Sequence, residues 1–277
     1  MTDSTLWSRR PLSRGAAFTI HLALSLLIFS SLVAVMMLFW FPGDLFFIDG
    51  GWEGLKLVAM VDLVLGPALT LILYKPGKPK LVMDMSMIAC IQIAALGYGF
   101  YTTHQQRTIA VVFAERSFTT VSASDRLEAD QQLLDLSVQP KLVPQASLLK
   151  IPVLLTPLPE EGGYGKILED ALNGFPSPAM RNDQYQPIAG HLDELRQHAL
   201  NTADLKAQGA LEDVQSTLDK RSVTSEDVEF YPFTARYADG IAIFDPRELR
   251  IVDYVAIEKP ALDVASETLD IADGESE

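Results

Sequence analysis

The sequence predicts a membrane protein: three transmembrane α-helices followed by an α+β extracytoplasmic domain. Three observations carry that prediction. Residues 16–41, 55–74 and 81–101 are apolar runs, each as long as the roughly 20 residues a helix needs to cross a hydrocarbon core. Charge is divided unevenly: residues 1–107 hold 8 Lys/Arg against 6 Asp/Glu, residues 108–277 hold 14 against 30, and the whole chain stands at −14. Such asymmetry points to two environments, one a bilayer and one an acidic soluble domain. Finally, Arg9, Arg10 and Arg14 precede the first run and Lys75, Lys78 and Lys80 separate the second from the third, whereas residues 41–54 contain no basic residue. The positive-inside rule then puts the N-terminus and the lysine turn in the cytoplasm and everything after residue 101 outside.

Taken in order, residues 1–15 form a cytoplasmic tail, and residues 16–107 form the three-span membrane domain. The first run has no formal charge and ends Phe39-Trp40-Phe41-Pro42 without an Ala-x-Ala pattern. It exceeds the roughly 7–15 apolar residues of a signal peptide, so it reads as an uncleaved anchor. The loop that follows carries Asp44, Asp49 and Glu53, bracketed by Trp40 and Trp52, as aromatic residues bracket a membrane–water interface. The lysine turn is tight, with Pro76, Gly77 and Pro79, and the third run closes on Tyr98, Phe100 and Tyr101.

Residues 108–262 are expected to form a periplasmic α+β domain, with 263–277 an acidic tail. A domain of this size can bury a core without disulfides, and Cys90, the single cysteine, lies inside an apolar run. β-prone runs on either side of Glu115-Arg116 predict a hairpin. Ser124 is placed to cap a helix reaching Leu136. Residues 148–155 look like a strand, with Pro152 inside it pointing to an edge or a distorted strand. Residues 164–173 read as a helix stopped by Gly174, residues 175–187 as loop, and 189–200 and 202–220 as helices. Runs at 228–237, 240–244 and 249–257, separated by turn residues, predict a closing strand meander.

The candidate functional residues lie mainly in the spans. Asp62 comes seven residues after Leu55, about 10 Å below the outer end of its helix. A carboxylate there is costly unless paired, protonated or turned toward other protein. Gln92 on the third span has a similar expected depth. Gly66-Pro67 follows one turn after Asp62, and proline removes a donor and crowds the preceding turn, so a helix kink is expected that frees a carbonyl near Leu63. His21 and Asp84 each lie within about 8 Å of the cytoplasmic face. They form a depth-matched candidate pair, set apart from Asp62. All four polar residues are candidate intramembrane helix-partner contacts, with packing alone as the alternative role.

The remaining patterns exclude more than they assign. An acidic chain is a poor match for nucleic acid, whose phosphates call for Lys and Arg. His191 and His198 stand seven apart, while helical metal sites more often use three or four. Residues 162–166 are glycine-rich but lack the phosphate-loop spacing, and neither Gly-x-Ser-x-Gly nor His-Glu-x-x-His occurs. The expectation is a chain without cofactor, metal or enzymatic activity.

The membrane part, from Phe41-Pro42-Gly43 through Gly50-Gly51-Trp52, Asp62-Leu63-Val64-Leu65-Gly66-Pro67, the Lys-Pro turn, Asp84, Gln92-Ala94-Ala95-Leu96 and Gln106-Arg107, resembles the TfpX/TfpZ family of type IV pilin accessory proteins, also called fimbrial assembly proteins. The resemblance covers roughly residues 16–125. It implies a multi-pass inner-membrane protein of a Gram-negative bacterium that serves one cognate type IV pilin as a chaperone or modulator of pilus assembly. The alternative reading is a membrane-anchored periplasmic ligand-binding or sensor protein. Its cytoplasmic parts are short, so it would have to act through a signalling partner.

Overall fold

A computed structural model describes residues 12–144, 150–157 and 163–257. The expected acidic tail at 263–277 and most of the N-terminal tail lie outside the described residues. Three helices long and apolar enough to cross a membrane come first, at Arg14–Trp40, Gly51–Leu73 and Leu81–Gln105. A mixed α/β domain built on one seven-stranded sheet follows.

The first long helix comprises α1 (Arg14–Val35) and a wider π turn at Met36–Trp40. Ser13 caps it by accepting a hydrogen bond from the Ala16 amide at 3.1 Å, which satisfies one of the orphan donors of the first turn. A loop containing the short helix α2 (Leu45–Ile48) leads to Gly50, whose φ of 105° suits glycine. The second long helix is α3 (Gly51–Ala59), a π stretch at Met60–Leu65, and α4 (Gly66–Leu73). The third is α5 (Leu81–Gln105). Leu27, Ile72, Val82 and Ile93 project from these helices with 64–79% of their surface uncovered. Water would not tolerate that many apolar side chains on one surface; lipid does.

α3 and α5 meet through small residues. A Cβ on Gly54 would stand 2.8 Å from Thr103 Oγ1, and one on Gly99 would stand 3.0 Å from Val58 Cγ2. Small side chains let helix backbones approach where lipid supplies no hydrophobic drive for association.

In the α/β domain β1 (Thr108–Ala114) and β2 (Ser117–Ser122) form the expected hairpin. Glu115 and Arg116 both have positive φ, 49° and 70°, as a two-residue hairpin turn with the right twist demands. α6 (Ala123–Asp135) begins two residues earlier than the sequence indicated. Ser122 is its cap, and Asp125 closes a capping box back onto the Ser122 amide. β3 (Val153–Leu155) runs parallel to β1. Pro152 does not mark an edge: it precedes the strand, and its carbonyl accepts from the Val111 amide at 3.0 Å. α7 (Tyr164–Leu172) stops at Gly174, φ 83°.

A two-residue strand, β4 (Gln186–Pro187), forms the edge beyond β3. The helix expected at 189–200 is only α8 (Leu192–Arg196). The helix expected at 202–220 is two, α9 (Thr202–Ala207) and α10 (Leu211–Arg221). Gly209 at φ 70° ends the first, a left-handed conformation that terminates helices. The closing meander is β5 (Glu229–Thr234), β6 (Asp239–Asp245) and β7 (Arg250–Ile257). The sheet order is β4-β3-β1-β2-β5-β6-β7. β2 and β5 join the hairpin to the meander as parallel neighbours.

One core runs from the membrane helices into the sheet. Leu32, Met36, Trp40, Phe41, Leu45, Phe46 and Val58 pack in the same buried cluster as Phe113, Phe118, Tyr231, Phe233 and Phe244. A second cluster lies under β6 and β7, where Leu205, Val214 and Leu218 of α9 and α10 cover Ile241, Ile243 and Val255.

Candidate functional site

Asp62, Gly66 and Thr70 recur at intervals of four along the second long helix, and all are buried. That spacing puts them on one face. Asp62 lies within the π stretch, where the Gly66 amide bonds the Val61 carbonyl five residues back. The wide turn sits directly before Pro67, so the helix accommodates the missing proline donor by widening. Gln92 of α5 lies across Gly66: a Cβ there would stand 1.9 Å from Gln92 Nε2 and 2.5 Å from Gln92 Cδ. The structure therefore brings Gln92 to Gly66.

His21 and Asp84 are not partners. His21 Nδ1 is 2.5 Å from Thr70 Oγ1. Asp84 accepts a hydrogen bond from Lys78 Nζ, also at 2.5 Å, in the lysine turn. α1 packs chiefly along α4, and the Thr70 contact puts His21 against the helix face that also carries Gly66 and, two turns away, Asp62. The Asp62 side chain is 5% exposed and forms no hydrogen bond with any described residue. It lines a small apolar groove of about 120 Å³ between the second and third long helices, walled by Val58, Val61, Ala95, Leu96 and Gly99.

A second group of polar residues ties the loop after the first long helix to the sheet. Asp49 is buried and accepts three hydrogen bonds: from the hydroxyl of Thr108, from Thr120 Oγ1 at 2.8 Å and from the Arg236 amide at 3.1 Å. Burial pushes its carboxyl above the usual range, while those three donors pull it back. The Tyr237 amide adds a bond to the Ile48 carbonyl at 3.0 Å.

Nearby, Asp44 faces Asp253 of β7, and Arg221 at the end of α10 reaches both. Arg221 Nε donates to Asp253 Oδ2 at 2.6 Å, and its Nη2 lies 3.5 Å from Asp44 Oδ2. The hydrogen bond with Asp253, burial and the charge of Asp253 together raise the Asp44 carboxyl to about 6, against the pull of Arg221. Asp253 moves the other way: burial alone would raise it, but its hydrogen bonds from Asp44, Arg221 and the Tyr254 amide hold it low. The two carboxyls are thus pushed in opposite directions, Asp44 up and Asp253 down, as expected of two neighbouring acids. Both carboxylates line an open cleft of about 960 Å³ between the loop, β7 and residues 150–153.

Comparison with known proteins places this arrangement. No family model matches the chain, and no solved structure matches it. It is 34% identical over 110 residues to the fimbrial assembly protein of Dichelobacter nodosus serogroups C1 and C2, covering 39% of this chain and 84% of that protein. The chain belongs to the fimbrial assembly protein family. The similarity extends into the α/β domain in longer relatives. Identity is 28% over 248 residues to the serogroup E1 protein and 28% over 247 residues to the serogroup I protein, each alignment covering 86% of this chain and 93% of the relative.

In this fimbrial assembly family member, sequence reasoning found Asp62, Gln92, His21, Asp84, Gly66 and Pro67 but paired them by depth alone. It missed Thr70, the hydroxyl that His21 engages, and the loop carboxylates Asp44 and Asp49. Asp44 and Asp49 were visible only as acidic loop residues. Their partners lie between 59 and 209 positions away in the chain, so no local pattern announces them. His191 and His198 serve the fold: His191 pairs with Glu194 at 3.1 Å, and His198 stacks on Phe113.

Proposed function

We propose that this protein is a type IV pilin accessory of the TfpX/TfpZ kind, an inner-membrane chaperone or modulator of one cognate pilin during pilus assembly. The N-terminus is cytoplasmic and the α/β domain periplasmic in this reading. One observation carries it: similarity to proteins named for fimbrial assembly runs through both the long helices and the outer domain. A pilin awaiting assembly has a single apolar helix in the membrane and a globular head outside. The layout here offers a membrane part for the helix and an outer domain for the head. The groove beside Asp62 is the proposed contact for the helix. A carboxyl left without a hydrogen bond at that depth favours a neighbour that supplies a donor. The role is one of binding, with no covalent step.

The test is deletion of the gene in its host, followed by measurement of pilin level and surface pili. Normal levels of both would sink the proposal. If either falls, a photo-crosslinking side chain at Val61 or Ala95, beside the groove, is expected to capture pilin, whereas one at Ile72 is not. The open 960 Å³ cleft favours the second reading, a periplasmic ligand-binding protein acting through a partner. A normally piliated deletion strain with a changed response to periplasmic conditions would favour it.

A further inference from the structure

A separate cavity of about 390 Å³ opens where the outer domain meets the ends of the long helices. Its wall includes Phe39, one residue from the end of the first long helix, and Gln105, the last residue of the third. Both ends lie on the outer-domain side, so the cavity sits at the depth of lipid headgroups, just beyond the hydrocarbon core. α6 packs against the end of α5 and closes the other side.

Two arginines line this space, Arg107 and Arg126, against a single acidic residue, Asp130. Arg107 is fixed by a bond from Nη1 to the His104 carbonyl at 2.6 Å. Arg126 Nε is fully buried and finds no hydrogen-bond partner among the described residues. Asp130 Oδ2 is 3.4 Å from it, but Asp130 Oδ1 is already engaged by Asn182 Nδ2. Nε itself is closed off from the cavity, but 31% of the Arg126 side chain stays exposed, so its terminal nitrogens are the donors left to meet an acceptor there. The domain around it is strongly acidic, so a local excess of arginine is not the background pattern. The rim is apolar: Phe39 and Leu127 are 54% and 57% exposed beside the bilayer, where acyl chains begin.

We propose that this cavity binds the headgroup phosphate of an anionic phospholipid, with Arg107 and Arg126 as donors. Guanidinium groups suit the chemistry, because their planar fork matches two phosphate oxygens and is weakly hydrated. The apolar rim selects a lipid over a free anion, since it has acyl chains to cover it. A lipid held there would seat α6, and with it the sheet, on the membrane surface.

The experiment uses the full chain, purified in neutral detergent and titrated with phosphatidylglycerol or phosphatidylcholine while bound lipid is counted by native mass spectrometry. One phosphatidylglycerol is expected to remain bound in preference to phosphatidylcholine. Arg107→Gln and Arg126→Gln are each expected to weaken it about tenfold, the value of one lost charge-assisted bond. Arg126→Lys retains more affinity than Arg126→Gln, and Arg247→Gln, at an exposed site elsewhere, is unchanged. Should Arg126→Gln fail to fold, Arg107→Gln and Arg126→Lys still decide. Equal binding of the two lipids, or glutamine variants that bind like the parent, overturns the proposal. So does displacement of phosphatidylglycerol one for one by millimolar inorganic phosphate, which would make the site one for a soluble anion.

Discussion

Replacing Gly66 with alanine tests the contact between the second and third long helices. In an exposed helix interior the change from glycine to alanine stabilises by up to about 1 kcal/mol. At Gly66 the new Cβ would meet Gln92 Nε2 at 1.9 Å and Cδ at 2.5 Å, distances no real Cβ keeps. Gln92 must swing away or the helices must part, and overpacking of this kind costs about 1–3 kcal/mol. The net expectation is destabilisation by up to about 2 kcal/mol. Gly97, on the third helix, is an internal control, because nothing lies within 4 Å of its would-be Cβ; Gly97→Ala should be neutral or mildly stabilising. Unfolding in mixed micelles titrated with a denaturing detergent gives each value. A double-mutant cycle with Gln92→Ala then isolates the contact: in that background the Gly66→Ala penalty should vanish, a coupling of about 1–3 kcal/mol. If Gly66→Ala behaves like Gly97→Ala, or its cost persists without the Gln92 side chain, the reasoning fails.

Gly240→Ala should be worse than Gly66→Ala, because its Cβ would stand 2.0 Å from the Val255 carbonyl and main chain cannot rotate aside; loss of about 3 kcal/mol or more in thermal unfolding of the outer domain is expected. Asp49→Ala strips the acceptor from Thr108, Thr120 and the Arg236 amide, and with two of those hydroxyls buried the cost is about 3 kcal/mol, read as a lower melting temperature. The Asp44–Asp253 pair makes stability depend on pH. Asp44 is raised from 3.8 to about 6, so its contribution is full below pH 3.8 and is lost as pH rises through about 6. Asp253 is lowered, so its contribution holds above 3.8 and is lost as pH falls further. The joint maximum lies near pH 3.8, and Asp44→Asn should flatten the decline in melting temperature between pH 4 and 7; an unchanged pH profile would dismiss the coupling of the two carboxyls.

Much of the architecture was legible in one dimension. The three long helices follow from the lengths of the apolar runs, and the hairpin follows from the Glu115-Arg116 break. The closing meander follows from its turn residues. These features are local: a hydrocarbon slab demands only a long enough run of apolar residues, and a two-residue turn demands only residues that accept positive φ. Helix ends fared less well. Residues 202–220 are good helix formers except for Gly209, and at φ 70° that glycine ends a helix, with Leu205 and Val214 on either side of it packing into the same cluster.

The sequence by itself determined which polar residues lie within the apolar runs, and roughly how deep. It did not determine who meets whom. Depth is one coordinate, and partners are chosen by rotation about the helix axis and by which helices are neighbours. The π turn before Pro67 changes that rotation, α1 lies along α4, and so His21 engages Thr70, while Asp84 turns to Lys78. The same holds for the outer domain. Asp44 meets Asp253 because β7 ends a sheet whose order is set by long-range pairing. Only the folded chain brings that strand back over the loop.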